Sequence, residues 1–219
     1  MLLTREEYFP VMRILVIIPI TGLDADKIEE RMIFLRSIAR DGTEVEYLQV
    51  GEGPLAIECA VDHLQAAVQV IKHVEWAERS GYDAIIVWCG GDPGVEEART
   101  LVDVPVIGPG EAMRLLASLA GKHVGRIHHP LPVLKLRDDL ELTYRLTEEA
   151  IQASLAGGFD SFYLDCLGMF GMGRPLRART GLPVVDGGEA SLALAEVTVA
   201  MGLGSSRVAY PKYPPLHRL

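Results

Sequence analysis

One stretch of this chain occurs twice, and the repeat limits what the chain can fold into. Gly81-Tyr-Asp-Ala-Ile-Ile-Val-Trp-Cys89-Gly-Gly-Asp-Pro-Gly94 is followed by Val104-Pro-Val-Ile-Gly-Pro-Gly-Glu111-Ala112. Gly158-Phe-Asp-Ser-Phe-Tyr-Leu-Asp-Cys166-Leu-Gly-Met169 is followed by Leu182-Pro-Val-Val-Asp-Gly-Gly-Glu189-Ala190. The cysteines stand 77 residues apart and the glutamates 78, so the copies keep register with a single insertion. A repeat of this kind signals one supersecondary unit used twice. Here it places two thiols at equivalent points of two similar units.

The rest of the chain alternates strand and helix around that unit. Arg13 to Ile18 is a short β-branched run ending at Pro19, the pattern of a buried parallel strand. Asp24 is a suitable N-cap for a helix reaching about Ala39, and Glu44 to Leu48 alternates as a second strand. Leu55 to Ser80 carries apolar residues at helical spacing, with Gly81 as its stop. The first copy then predicts a strand over 84–88, short helix 96–101, strand 105–107 and helix 111–119. A strand at 124–127 and a helix at 141–155 precede the second copy, with strand 159–164, strand 183–185 and helix 190–201. This order predicts an α/β fold of two similar lobes, each a parallel β-sheet flanked by helices, related by a pseudo-two-fold axis. The expected division is 12–108 for the first lobe and 109–202 for the second. The Pro-rich tail 203–219 is expected to pack back on the first.

Charge and cysteine count narrow the function classes. A net charge of −9 without a basic run argues against nucleic acid as a partner. The longest apolar run, Ile14 to Ile20, falls short of the ~20 residues a membrane span needs, and Arg5, Glu6 and Glu7 interrupt any secretory leader. Three cysteines are too few for a disulfide scaffold, so a reducing cytoplasm with free thiols is expected.

Cys89 and Cys166 each lie where an apolar strand ends and a glycine turn begins, and ligands of open parallel sheets bind beyond the carboxyl ends of strands. Gly90 and Gly91 in one copy, and Leu167 and Gly168 in the other, can aim backbone N–H groups at an anion. That field is expected to favour thiolate and lower the cysteine pKa. Thiols facing one another across a cleft suit one reaction: a thiolate removes a proton from a carbon beside a carbonyl, and the opposite thiol returns one to the other face. Cys59, in the start of the long helix, has no counterpart and is read as packing. His128-His129 lacks a third ligand at useful spacing, so no metal is expected. Glu111 and Glu189 are read as helix-capping or dipole partners.

At these residues the chain resembles the Asp/Glu/hydantoin racemase superfamily, most closely its hydantoin and allantoin racemase branch. Cys89-Gly-Gly-Asp-Pro-Gly94 is similar to the family's Cys-Phe-Gly-Asp-Pro-Gly, and Leu164-Asp-Cys-Leu-Gly-Met169 to Leu-Gly-Cys-Ala-Gly-Met. Gly53 to Glu58, Pro105 to Ala112, Pro183 to Gly187 and Ser206 to Tyr210 fall in family order. The resemblance implies a cleft between two α/β lobes, racemisation of a small molecule by Cys89 and Cys166 without a cofactor, and a homo-oligomer. The expected substrate contacts are Pro19, Thr21, Gly90, Gly91, Asp92, His128, Leu167, Gly168 and Met169.

Two departures bear on the substrate. Ile18-Pro-Ile-Thr21 stands where the family has Asn-Pro-Asn-Thr or Ser, and Arg126-Ile-His-His129 stands near a family Thr-Thr pair. Both change which polar groups a pocket can pair, and such mismatches discriminate strongly between substrates. Competing readings are a cis–trans isomerase or decarboxylase of the same superfamily, and a non-catalytic small-molecule binder that kept the cleft.

Overall fold

The computed structural model describes residues 11–128 and 131–212. Strand β1, Met12–Ile18, is the centre of the first sheet. It pairs in parallel with β2, Thr43–Gln49, on one side and with β3, Ala84–Val87, on the other. Strand β4, Val106–Ile107, pairs with β3 and completes the order β2-β1-β3-β4. A second, three-stranded parallel sheet has the order β5-β6-β7, from Val124–Ile127, Ser161–Leu164 and Val184–Val185.

The period of two in β1 explains why it must be central. Ile14, Val16 and Ile18 face one apolar cluster, while Leu15 and Ile17 face another, and all five are essentially fully buried. A strand buried on both faces reads as a continuous apolar run and needs helices on both sides. On the second face those helices are α2, Ala60–Arg79, through Val70, Val74 and Ala77, and α3, Val95–Arg99, through Val95 and Ala98. On the first face α1, Ala25–Ile38, contributes Ile28, Met32 and Leu35.

The remaining helices tie the sheets together. Helix α4, Pro109–Ala120, follows β4 in the chain but packs on β5, β6 and β7. The last helix of the chain, Gly187–Ala200, follows β7 but packs on β1, β3 and β4 through Ala190, Leu192 and Ala195. The cluster around β1 therefore runs through both helices to Tyr163 and Val185 of the second sheet. The span 109–202 thus holds a helix whose buried face lies on the first sheet. The outer face of the second sheet is covered by α5, Leu140–Leu155, and α6, Gly173–Thr180, around Phe162, Leu164, Ile151 and Leu176. In chain order the final helix is α7.

Caps account for where helices begin. Asp24 accepts from the Lys27 N–H, 2.9 Å away, and starts α1 as its sequence position predicts. The long helix starts at Ala60 rather than Leu55, because the Asp62 carboxylate takes the N–H groups of Glu58 and Cys59 at 3.0 and 3.1 Å. The chain before it is held away by Pro54 and Leu55, whose carbonyls accept from Thr21 and Gly22. Helix α7 begins at Gly187 rather than Ala190, since Asp186 accepts from the N–H groups of Gly188 and Glu189. Past α7 the chain returns to the first sheet's edge, where Arg207 pairs with Asp103 and donates to the Arg99 carbonyl, and Tyr210 meets Glu96. Among the described residues no helix is long and apolar enough to cross a membrane.

Candidate active site

The two repeat copies place their cysteines by the same set of backbone bonds. Trp88 precedes Cys89 and donates its N–H to the Ile17 carbonyl at the end of β1, at 2.8 Å. Asp165 precedes Cys166 and donates to the Ile127 carbonyl at the end of β5, at 3.2 Å. Beyond each thiol the chain turns: Asp92 N–H bonds the Cys89 carbonyl at 3.1 Å, and Met169 N–H bonds the Cys166 carbonyl at 3.0 Å. In both turns the N–H two residues on, from Gly91 or Gly168, lies 3.4 Å from the cysteine sulfur. The N–H groups between them, of Gly90 and Leu167, have no acceptor among the described residues. The turns also touch each other. A Cβ on Gly90 would lie 2.0 Å from the Asp165 carbonyl oxygen, so this crossing admits only glycine.

Cys89 and Cys166 both line one cavity of about 590 Å³, within the usual range for small-molecule sites. Its apolar wall includes Ile20, Leu23, Ile57 and Leu131, and its polar wall includes Arg31, His63, Arg126, His128 and Asp165. His63 holds the Gly91 carbonyl through Nε2 at 2.9 Å, steadying the first cysteine turn from α2. Asp165 is almost fully buried, and its Oδ2 takes Arg126 Nε at 2.6 Å and His128 Nδ1 at 3.0 Å. Its Oδ1 is buried without a partner among the described residues. A smaller polar cavity of about 390 Å³ lies behind Gly90 and Gly91, bounded by Asp92, Glu111 and Arg114.

Both thiols are pushed up rather than down, which corrects the expectation of a lowered pKa. Burial carries Cys89 up to about 12; the Gly91 N–H opposes this, and the negative charges of Cys166, Asp92 and Asp165 add to it. Cys166 rises to about 11 for the same first reason, with the Gly168 N–H opposing, Asp165 adding and the Arg31 charge opposing. One N–H at 3.4 Å does not replace the water a thiolate loses, and the helical turn after Cys166 is only three residues long. Both shifts favour the neutral thiol in the free site.

A family model described as Asp/Glu/Hydantoin racemase matches residues 14–127, more than half of the chain. The chain belongs to that family. A hydantoin racemase of Pseudomonas sp. (strain NS671) is 30% identical over 231 residues, covering 93% of this chain and 92% of that protein. Among solved structures, an allantoin racemase from Klebsiella pneumoniae superposes with a TM-score of 0.84 at 28% identity, covering 94% of this chain and 96% of that one. Allantoin racemase from Pseudomonas fluorescens gives 0.86 at 27% identity, covering 95% of this chain and 100% of that one.

Within this family fold, Gly90, Gly91, His128, Leu167 and Gly168 border the cavity with the two cysteines, whereas Pro19, Thr21, Asp92 and Met169 do not. The Thr21 hydroxyl donates to the Pro54 carbonyl at 3.3 Å, fastening the loop after β1. Asp92 takes the N–H groups of Gly110 and Glu111 at 2.7 and 2.8 Å and so caps α4. Met169 is fully buried in the second core. Pro19 is buried, and its neighbour Ile20 reaches the cavity instead. Cys59 differs from its packing assignment: it is exposed and stands on the cavity rim as the N-cap of α2. Glu111 and Glu189 do hold equivalent places, paired with Arg99 and Arg177, which also donate to the Val106 and Val184 carbonyls. His129 lies outside the described residues.

Sequence reasoning passed over Asp165, His63, Trp88 and Arg31. Asp165 carried a signal, since it stands where the family's Leu-Gly-Cys motif has glycine. Arg31 and His63 sit on helices whose inward face only the fold reveals.

Proposed function

We propose that this chain is a cofactor-independent racemase or epimerase acting on a small carbonyl compound with an acidic α-carbon, hydantoin-like or amino-acid-like. The observation that supports this most is the matched geometry of the cysteine turns, with sulfur, bonded N–H and unpaired N–H in the same order on one cavity. One thiolate takes the α-proton, and the electron pair of the C–H bond moves onto the carbonyl as an enolate. The opposite thiol gives its S–H proton to the other face and is left as the thiolate. The free N–H groups of Gly90 and Leu167 are donors for the enolate oxygen, a role of about 10²–10³ in rate, and each acid or base step contributes about 10²–10⁴.

The raised thiols fit a weakly acidic carbon. A thiolate formed against burial is scarce but strongly basic, which favours proton removal once it forms. Ile20, Leu23, Ile57 and Leu131 give an apolar substituent room on one wall. The family resemblance extends the proposal to a homo-oligomer, and the three free cysteines to a reducing cytoplasm. The test is incubation in D₂O with 5-substituted hydantoins and N-carbamoyl amino acids. α-Deuterium incorporation is expected, and a folded sample that exchanges none of them refutes the reading.

A further inference from the structure

Arg31 is a buried cation on the cavity wall with no salt-bridge partner among the described residues. The residue is 6% exposed, and no carboxylate lies within 4.0 Å of its guanidinium among the described residues. Its Nη1 donates to the Lys27 carbonyl one turn back, and its Nε is buried with no partner among the described residues. The neighbouring Glu30 is taken by Arg137 instead, and the two guanidiniums share the Phe170 ring at 5.1 and 3.9 Å from its centroid. Burial and the charge of Arg137 pull Arg31 down to about 10, which still leaves it cationic at neutral pH.

A second donor lies against the same ring. Trp88 is 5% exposed, borders the same cavity, and meets Phe170 at 6.0 Å, and its Nε1–H is also buried without a partner among the described residues. The carboxylates on the wall are hydrogen-bonded inside the protein. Asp165 holds Arg126 and His128, and Glu58 accepts the Val133 N–H at 2.9 Å. A desolvated guanidinium is stable when an anion and hydrogen bonds complete it, and a carboxylate matches its planar fork.

We propose that Arg31, helped by the Trp88 indole N–H, receives an anionic group of the ligand, so that the preferred substrate carries a carboxylate on the substituent of its reacting carbon. The inference rests on the proposed function only in taking the cysteine cavity as the ligand site. Arg31 is then a specificity-determining residue, and it separates this site from one built for neutral ureides alone.

The test compares hydantoin-5-acetic acid with its amide, a neutral molecule of nearly the same shape. Binding is measured by calorimetry and thermal shift on a Cys89→Ser/Cys166→Ser variant, so that no turnover intervenes. The acid is expected to bind at least about tenfold tighter than the amide. Arg31→Met in that background should erase the preference, and Arg31→Lys should keep part of it. Equal binding of acid and amide to the Arg31 protein overturns the inference, as does a preference that survives in a folded Arg31→Met. The first comparison needs no change at Arg31, so a variant that fails to fold leaves it decisive. Acid preference without α-exchange by the two-cysteine protein would sink the racemase reading alone, and racemisation of neutral hydantoins without acid preference would sink this one alone.

Discussion

Replacing Gly90 by alanine tests whether the two cysteine turns form one machine. The added Cβ falls 2.0 Å from the Asp165 carbonyl oxygen and 3.5 Å from Leu167 Cδ2. The first distance is about 1 Å inside any contact a real side chain makes, and its partner is backbone, so one turn must move by about that amount. Overpacking of this kind costs about 1–3 kcal/mol. Cys89 and Cys166 flank the collision, so their separation changes by a similar distance, and a 1 Å misplacement of reacting groups costs about 10²-fold in rate. The assay is thermal unfolding together with kcat/KM for racemisation. Gly51→Ala is the control, because nothing lies within 4 Å of a Cβ there. Its stability should change by no more than about 1 kcal/mol, with activity intact. A Gly90→Ala protein with wild-type kcat/KM refutes the claim that the turns set the spacing of the thiols.

Three further outcomes follow from the thiols. With Cys166 at about 11 and Cys89 at about 12, the thiolate is scarce at neutral pH, so kcat/KM should climb by about tenfold per pH unit between roughly pH 6.5 and 9; a flat profile contradicts the raised values. The linked stability has the opposite sign: a thiol raised above its unfolded value of about 8.5 stabilises the fold below that pH, and this contribution is lost as pH rises toward 11–12. The melting temperature should therefore fall above about pH 8.5, less so in a variant with both cysteines changed to serine. Alkylation followed by peptide mapping should label exposed Cys59 ahead of the half-buried Cys89 and Cys166 at pH 7.5, and labelling of Cys89 first counts against raised thiols.

The repeated stretch made the strand–cysteine–turn units, the parallel sheets and most helix cores legible, because period-two and period-3.6 patterns are written in neighbouring residues. Arg13 to Ile18 could be read as a buried parallel strand without coordinates, since an unbroken apolar run has no solvent face. What stayed hidden depended on residues distant in sequence. The crossing of α4 and α7 between sheets needs the packing of Ala190 and Ala195 on β1 and β3. The start of α2 at Ala60 depended on Asp62 outcompeting helical propensity. Asp92 looked like a ligand contact beside Cys89, yet its carboxylate reaches across 18 residues to cap α4. The sign of the thiol shifts was also out of reach, because a turn in sequence shows its N–H groups but not the burial that outweighs them.

The most direct measurement follows each single enantiomer of a racemised hydantoin in D₂O with Cys89→Ser and Cys166→Ser proteins. Chiral chromatography reports inversion and NMR reports α-deuterium. Two thiols working on opposite faces predict that the wild-type chain interconverts both enantiomers with solvent deuterium, and that each substitution lowers racemisation by at least about 10²-fold while the fold is kept. Full turnover by either variant would contradict the two-thiol mechanism.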